Sequence, residues 1–334
     1  MSNSRQTINR TFSTAPMMDW SDRHCRYFWR QLSKEALLYT EMVTTGAIIH
    51  GQGGPERFLR FDEVEHPVAL QLGGSNASEL AQCAKIAQDF GYDEVNLNVG
   101  CPSDRVQNNM IGAVLMGHPE LVADCIKSMQ DAVDIPVTVK HRIGIDDQDS
   151  YEELHHFVET VAKTGCETFI VHARKAILQG LSPKENREVP PLKYEVVAQL
   201  KRDFPDLEIL LNGGLTTYEQ MHDALTYCDG VMLGREAYHN PSILLGVDHA
   251  FYGHEVDTRN LKDIVRQLYP YIEDHLSEER SKLAYITRHI LGLFNGLPGS
   301  RQFRRHLSEE AYKKTAGIEV IEAALAMMPD EVTD

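Results

Sequence analysis

Short apolar runs of strand length recur along the chain, separated by longer stretches whose apolar residues return at helical spacing. The strand-like runs are Phe12 to Met18, Leu37 to Val43, Val68 to Leu72, Glu94 to Val99, Val137 to Ile143, Thr168 to Ala173, Glu208 to Asn212 and Gly230 to Gly234. Helical periodicity marks Ser78 to Phe90, Pro119 to Val133, Tyr151 to Thr164, Leu192 to Asp203 and Thr217 to Tyr227. Strands that are apolar nearly throughout are covered on both faces. Eight of them alternating with helices predict an α/β fold, a (β/α)8 TIM barrel, with an open doubly wound sheet as the alternative. After Tyr252-Gly253 the strand signal stops, and Leu261 to Leu276, Lys282 to Leu293, Gly299 to Leu307 and Glu319 to Met327 read as helices. The expected organisation is a barrel domain over residues 1–253 and an all-α domain over 254–334.

A barrel of this kind carries its chemistry at the C-terminal ends of its strands, so polar residues there acquire meaning. Pro16-Met17-Met18 closes the first run, Gln71 the third, Asn98 and Cys101 the fourth, Lys140 the fifth, His172 and Arg174 the sixth, Asn212-Gly213-Gly214 the seventh and Gly234-Arg235 the eighth. A lone Gln or Asn at such a place is ordinarily a satisfied structural residue; their joint placement argues for a site. Glycines after the seventh and eighth runs expose backbone N–H groups at a following helix start, which suits a phosphate, and Arg235 adds a charge. Gln71 can pair with a ring edge through its amide, and Lys140 can offset negative charge on a reduced ring. A ligand with a phosphate tail and a planar head fits this set, and flavin mononucleotide (FMN) has that shape. His172 then reads as a phosphate or ribityl contact; no metal site is expected, because no second ligand stands near it at metal spacing.

Cys101 lies in Asn96-Leu97-Asn98-Val99-Gly100-Cys101-Pro102-Ser103, where an apolar run ends in a turn-forming mouth. Pro102 stops pairing after it and Gly100 relaxes the backbone before it, so its side chain is expected to face a pocket. An ordinary thiol titrates near pH ~8.5 and is mostly protonated at neutral pH, able to donate a proton or to become a nucleophile. Cys25, Cys83, Cys125, Cys166 and Cys228 sit in apolar helical or strand contexts and read as small core fillers.

Composition narrows the class. Six cysteines without a Cys-x-x-Cys spacing argue against a disulfide scaffold or a structural zinc site in 334 residues and fit a reducing compartment. No run approaches the length of a membrane span, and the polar start Met1-Ser2-Asn3-Ser4-Arg5 lacks a secretory segment, so a soluble, cytoplasmic protein without membrane association is expected. No P-loop or dinucleotide fingerprint is present in the sequence. A net charge of -16 opposes indiscriminate nucleic-acid binding. Between Ser281 and Thr315, however, Lys282, Arg288, Arg301, Arg304, Arg305, Lys313 and Lys314 stand against only Glu309 and Glu310. This local reversal suggests an anionic partner, the alternative being a solvated helical face.

The runs Ala15-Pro16-Met17-Met18-Asp19, Glu41-Met42-Val43, Gln71-Leu72-Gly73-Gly74, Asn96 to Pro102, Val139-Lys140-x-Arg142, Val171-His172-Ala173-Arg174 and Asn212-Gly213-Gly214 together resemble the tRNA-dihydrouridine synthase family. Ser103-Asp104-Arg105-Val106-Gln107 with Ser182-Pro183-Lys184-Glu185-Asn186-Arg187-Glu188 is similar to its A subfamily, which acts at tRNA positions 20 and 20a. The resemblance implies FMN bound through Pro16, Met17, Met18, Gln71, Lys140, His172, Asn212, Gly213, Gly214, Gly234 and Arg235, NADPH as reductant, and Cys101 as proton donor. It further implies tRNA contacts at Asn98, Lys184, Arg187, Arg301 and Arg304. Lys184 and Arg187 would help to fix the target nucleotide in the D-loop. No obligate protein partner is evident. Two other readings remain: a flavin reductase of a free pyrimidine or small enone, and a tRNA-binding protein whose barrel is an inert scaffold.

Overall fold

The computed structural model describes residues 8–103, 107–278 and 281–330. Asp104, Arg105 and Val106 of the subfamily motif, and the polar start from Met1 to Arg5, lie outside the described residues. Contact density divides the chain into two compact units, residues 1–18 with 37–234, and residues 19–36 with 235–334. The expected boundary at residue 253 falls inside the second of these.

The first unit contains the strands β1 (Phe12–Thr14), β2 (Leu37–Thr44), β3 (Val68–Gly73), β4 (Glu94–Val99), β5 (Val137–Arg142), β6 (Thr168–His172), β7 (Glu208–Asn212) and β8 (Gly230–Leu233). They pair in sequential order in one closed parallel barrel, with β8 returning to β1 through Phe12 opposite Val231 and Thr14 opposite Leu233. The (β/α)8 architecture is therefore present, and closure rules out the open sheet. β1 is shorter than its apolar run because Pro16 has no N–H to give to a ladder.

Local chemistry sets the intervening helices. Ala77–Phe90 starts where the Asn76 side chain accepts the Glu79 N–H and ends at Gly91, whose φ of 96° a side chain would strain. Its Leu80, Cys83, Ala84 and Ala87 form one buried stripe. Ser150 with Glu153 and Thr217 with Gln220 make reciprocal capping boxes at the starts of Tyr151–Ala162 and Tyr218–Ala224.

Strand alternation puts every second residue inside the barrel. On one side this interior is an apolar cluster of Ala15, Leu37, Tyr39, Ala69, Ile170, Leu210 and Met232. Across from it β4 and β5 supply Glu94, Asn96 and Thr138, all buried. The barrel interior thus combines a hydrocarbon part with a hydrogen-bonded one.

The second unit is helical, as expected of the C-terminal region, but it also takes in Arg23–Leu32, a helix absent from the expected set. Asp22 caps that helix by accepting the backbone N–H groups of His24 and Cys25, and it also pairs with Arg288 at 2.5 Å and His289 at 3.0 Å. The run expected as one helix from Leu261 to Leu276 is two, Leu261–Arg266 and Tyr269–Ser277, because Pro270 withholds an N–H and breaks the ladder. Lys282 to Leu293 contains only the short helix Ala284–Thr287, followed by turns; Gly292 lies so close to the His239 carbonyl that a Cβ there would strike it. Among the described residues no helix is long and apolar enough to cross a membrane.

Candidate active site

The C-terminal rim of the barrel brings most of the strand-end residues into one ring. Asn98 pairs in register with Lys140, Arg142 with His172, and His172 with Asn212. Asn98 donates from Nδ2 to Gln71 Oε1 at 2.7 Å, joining β4 to β3. At the seam, Gly234 approaches Ala15 and the Met17 sulfur within 4 Å of where its Cβ would stand. Met17 packs against the apolar cluster, Pro16 is half-buried, and Met18 is exposed. Arg235 opens the helix Arg235–His239 of the second unit, so its place in the ring is not part of the first unit's geometry.

Cys101 is half-buried, whereas the other five cysteines are buried. Burial pushes the Cys83 and Cys166 thiols up to about 12 and those of Cys125 and Cys228 up to about 11, which suits inert fillers. The loop carrying Cys101 is pinned on three sides. Asn98 Oδ1 accepts the N–H of Gly100 at 3.1 Å and of Cys101 at 2.9 Å. The Cys101 carbonyl accepts from Ala113 N at 2.8 Å, and Gly112, with φ of 82°, leaves room for that carbonyl where a Cβ would collide with it. Arg142 Nε donates to the Gly100 carbonyl at 2.9 Å.

Arg142 is the main functional residue missed from sequence. Its buried guanidinium also donates to the carbonyls of Asn186 at 2.9 Å and Lys175 at 3.2 Å, so it bolts the Cys101 loop to the segment that carries Lys184 and Arg187. Its position two residues after Lys140, on the same strand face, was the available signal. Asn186 fixes the same segment from within, accepting from Ile177 N at 2.7 Å and donating to Ile177 O at 2.9 Å. Lys184, exposed, precedes the turn Glu185–Arg187, and Arg187, half-buried, is its last residue.

In an acidic protein this mouth gathers several basic side chains. Burial, then the charges of Arg142, Lys140, Arg174 and Arg187, hold the His172 imidazole well below its ordinary range. Burial and the Arg142 charge also pull the Lys140 ammonium down to about 7, with Cys101 opposing them, and burial brings Arg142 to about 10. A bound anion would oppose each of these shifts by its charge.

FMN suits the residues present. His172 Nδ1 is buried without a hydrogen-bond partner, as an atom awaiting a ligand would be. Gly213 and Gly214 follow β7 with φ of 114° and 73°, and the Leu192 and Tyr194 side chains lie where a Cβ at Gly214 would go, so only glycine fits that turn. Asn212 Nδ2 is held by the Met232 carbonyl at 2.8 Å and Tyr194 OH by the Gly213 carbonyl at 2.7 Å.

Arg301 and Arg304 lie away from this ring in sequence and belong to the second unit, on the exposed face of Ser300–Glu310, whose Phe303 and Leu307 are buried. Arg304 donates to Asn295 at 2.8 Å. Three cations of the basic stretch are neutralised locally, Arg288 by Asp22, Arg305 by Glu309 and Lys313 by Glu310.

The family model for dihydrouridine synthase (Dus) matches residues 13–328. The chain is 61% identical over 326 residues to the tRNA-dihydrouridine(20/20a) synthase of Pseudomonas aeruginosa, covering 98% of this chain and 97% of that protein. It is 61% identical over 321 residues to the enzyme of that name from Escherichia coli, with 96% and 92% covered, and 60% identical over 318 residues to that from Vibrio cholerae, with 95% and 96% covered.

Proposed function

The chain belongs to the dihydrouridine synthase family, and from that premise we propose that it reduces the C5=C6 bond of uridines at positions 20 and 20a of the tRNA D-loop to 5,6-dihydrouridine, using FMN and NADPH. The observation that supports this most is the juxtaposition, at one barrel mouth, of the half-buried thiol of Cys101 with the buried Arg142 and the half-buried Lys140, Arg174 and Arg187 in a protein of net charge -16.

FMN held here in its reduced form would supply the hydride for C6 of the uracil, whose double bond is conjugated to the C4 carbonyl. The protein does the rest. Charge arriving on C5 and O4 is quenched when Cys101 gives its proton to C5, so the thiol acts as general acid and not as nucleophile. Asn98, Arg142 and Gly112 hold the loop that sets the direction of that proton. Gln71 and Lys140 would hold the ring of the cofactor, His172 and the Asn212-Gly213-Gly214 turn its tail, with Pro16, Met17, Met18, Gly234 and Arg235 as further contacts. Lys184 and Arg187, together with Arg301 and Arg304, contact the tRNA backbone, and the target base leaves its stack to enter the mouth, at lower cost from a loop than from a duplex. A tRNA substrate places the reaction in the cytoplasm.

Mapping dihydrouridine at nucleotide resolution in tRNA from a deletion strain tests the proposal. Loss confined to positions 20 and 20a supports it; an unchanged map, or turnover of free uridine in preference to unmodified tRNA, overturns it.

A further inference from the structure

A continuous hydrogen-bonded run crosses the barrel interior beneath the mouth. Arg10 Nε donates to Glu94 Oε2 at 2.7 Å, and its Nη1 reaches Glu208 at 3.0 Å. Glu94 Oε1 receives the hydroxyl protons of Tyr39 and of Thr138, the latter at 2.6 Å. Thr138 Oγ1 accepts from Asn96 Nδ2 at 2.9 Å, Asn96 Oδ1 from Gln71 Nε2 at 2.9 Å, and Gln71 Oε1 from Asn98 Nδ2 at 2.7 Å. Asn98 Oδ1 then accepts the backbone N–H groups of Gly100 and Cys101.

The direction of this run is forced from both ends. At the bottom stands a carboxylate ion-paired with Arg10, which only accepts; Thr138 must therefore spend its one proton on Glu94 and can only accept from Asn96. At the top stand backbone N–H groups, which only donate, so Asn98 must turn its oxygen to them and its nitrogen to Gln71. Reversing either amide between would set nitrogen against nitrogen or oxygen against oxygen in a buried site, where each unmade bond is costly.

We propose that Glu94, acting through Thr138 and Asn96, is the positioning group that fixes which way the Gln71 amide faces. Gln71 is left with one N–H and one oxygen lone pair in set places for the edge of the flavin ring, while the same run keeps the Asn98 oxygen on the Cys101 loop. Cofactor geometry and proton-donor geometry thereby share one buried reference. The inference rests on the FMN reading.

The test uses the full chain freed of flavin, then titrated with FMN. Thr138→Val removes the hydroxyl at nearly constant shape and is expected to weaken FMN binding roughly tenfold, with a shifted visible absorption band and reduction potential of the bound flavin. Thr138→Ser restores the hydroxyl and is expected to bind within about twofold of the parent. Thr138→Val with parental affinity and spectrum overturns the relay. In the unsubstituted apoprotein, the side-chain amide protons of Gln71, Asn96 and Asn98 should exchange slowly in nitrogen-15 spectra; fast exchange at Gln71 also overturns it, whatever the variant does. Failure of the unsubstituted protein to bind FMN counts against the cofactor reading instead, and the exchange measurement still decides the relay.

Discussion

Cys101 owes its position to neighbours that do no chemistry themselves. Replacing it with Ala removes a sulfhydryl but none of the bonds that hold its loop, all of which go to backbone atoms. Cys101→Ala is therefore expected to keep FMN and tRNA affinity and lose nearly all dihydrouridine formation; full turnover would exclude it as the acid. Arg142 is the opposite case. Its guanidinium serves three carbonyls at once, and an ammonium cannot reach three in that fan, so Arg142→Lys is expected to destabilise the fold by about 1–3 kcal/mol in denaturant titrations. Lys140 adds a pH signature to the flavin-free protein. Its pKa falls from 10.5 in the ordinary state to about 7 in the fold. The unfolded chain therefore holds the extra proton between those values, and the penalty for burying the ammonium is complete below pH 7 and fades as pH rises toward 10.5. Lys140→Met should raise the melting temperature most at neutral pH and progressively less at alkaline pH; a gap that does not narrow would contradict the burial.

At the scale of elements, the strands were legible because a barrel strand buried on both faces announces itself as an apolar run: all eight begin at the residue where their runs begin, and all but β1 end within one residue of the run's end. The helix Arg23–Leu32 was hidden for a physical reason. Its apolar residues Cys25, Phe28, Trp29 and Leu32 do recur at helical spacing, but the buried face also includes His24, Arg26 and Arg30, made tolerable by bonds such as Arg26 to the Ser21 carbonyl at 2.8 Å and Arg30 to those of Ser33 and Ala36, so the apolar stripe is diluted by charge. The relay was half legible: Glu94, Asn96 and Asn98 alternate along one strand face, but only strand order shows that they meet Gln71 and Thr138. The cap of the hidden helix gives a prediction of its own. Burial opposes ionisation of Asp22, yet hydrogen bonding and charge from His289 hold its carboxyl well below the usual carboxylate range. Asp22→Asn keeps the capping oxygen and loses the ion pair, whereas Asp22→Ala loses both, so the alanine variant should be the less stable by about 1 kcal/mol in urea titrations of the full chain. Equal midpoints would mean that the cap contributes nothing.

For the whole molecule the governing fact is that an acidic protein must receive a polyanion. Repulsion from a net charge of -16 acts at long range and is screened by salt, while each phosphate engaged by a cation releases counterions and makes affinity fall with salt. Specific binding must then come from few, well-placed contacts, because several cations of the basic stretch are already neutralised within the protein. Lys184 is exposed and paired with no carboxylate among the described residues, and Arg187 stands beside the cations of the mouth. If both reach phosphate, Lys184→Ala with Arg187→Ala should lower the slope of log affinity against log salt by about 1.4–1.8, the loss expected for two contacts, and weaken binding of all tRNA species alike. If instead they read the target nucleotide, the slope stays as it was while the position modified changes, so measuring both on one set of transcripts separates backbone anchoring from site choice.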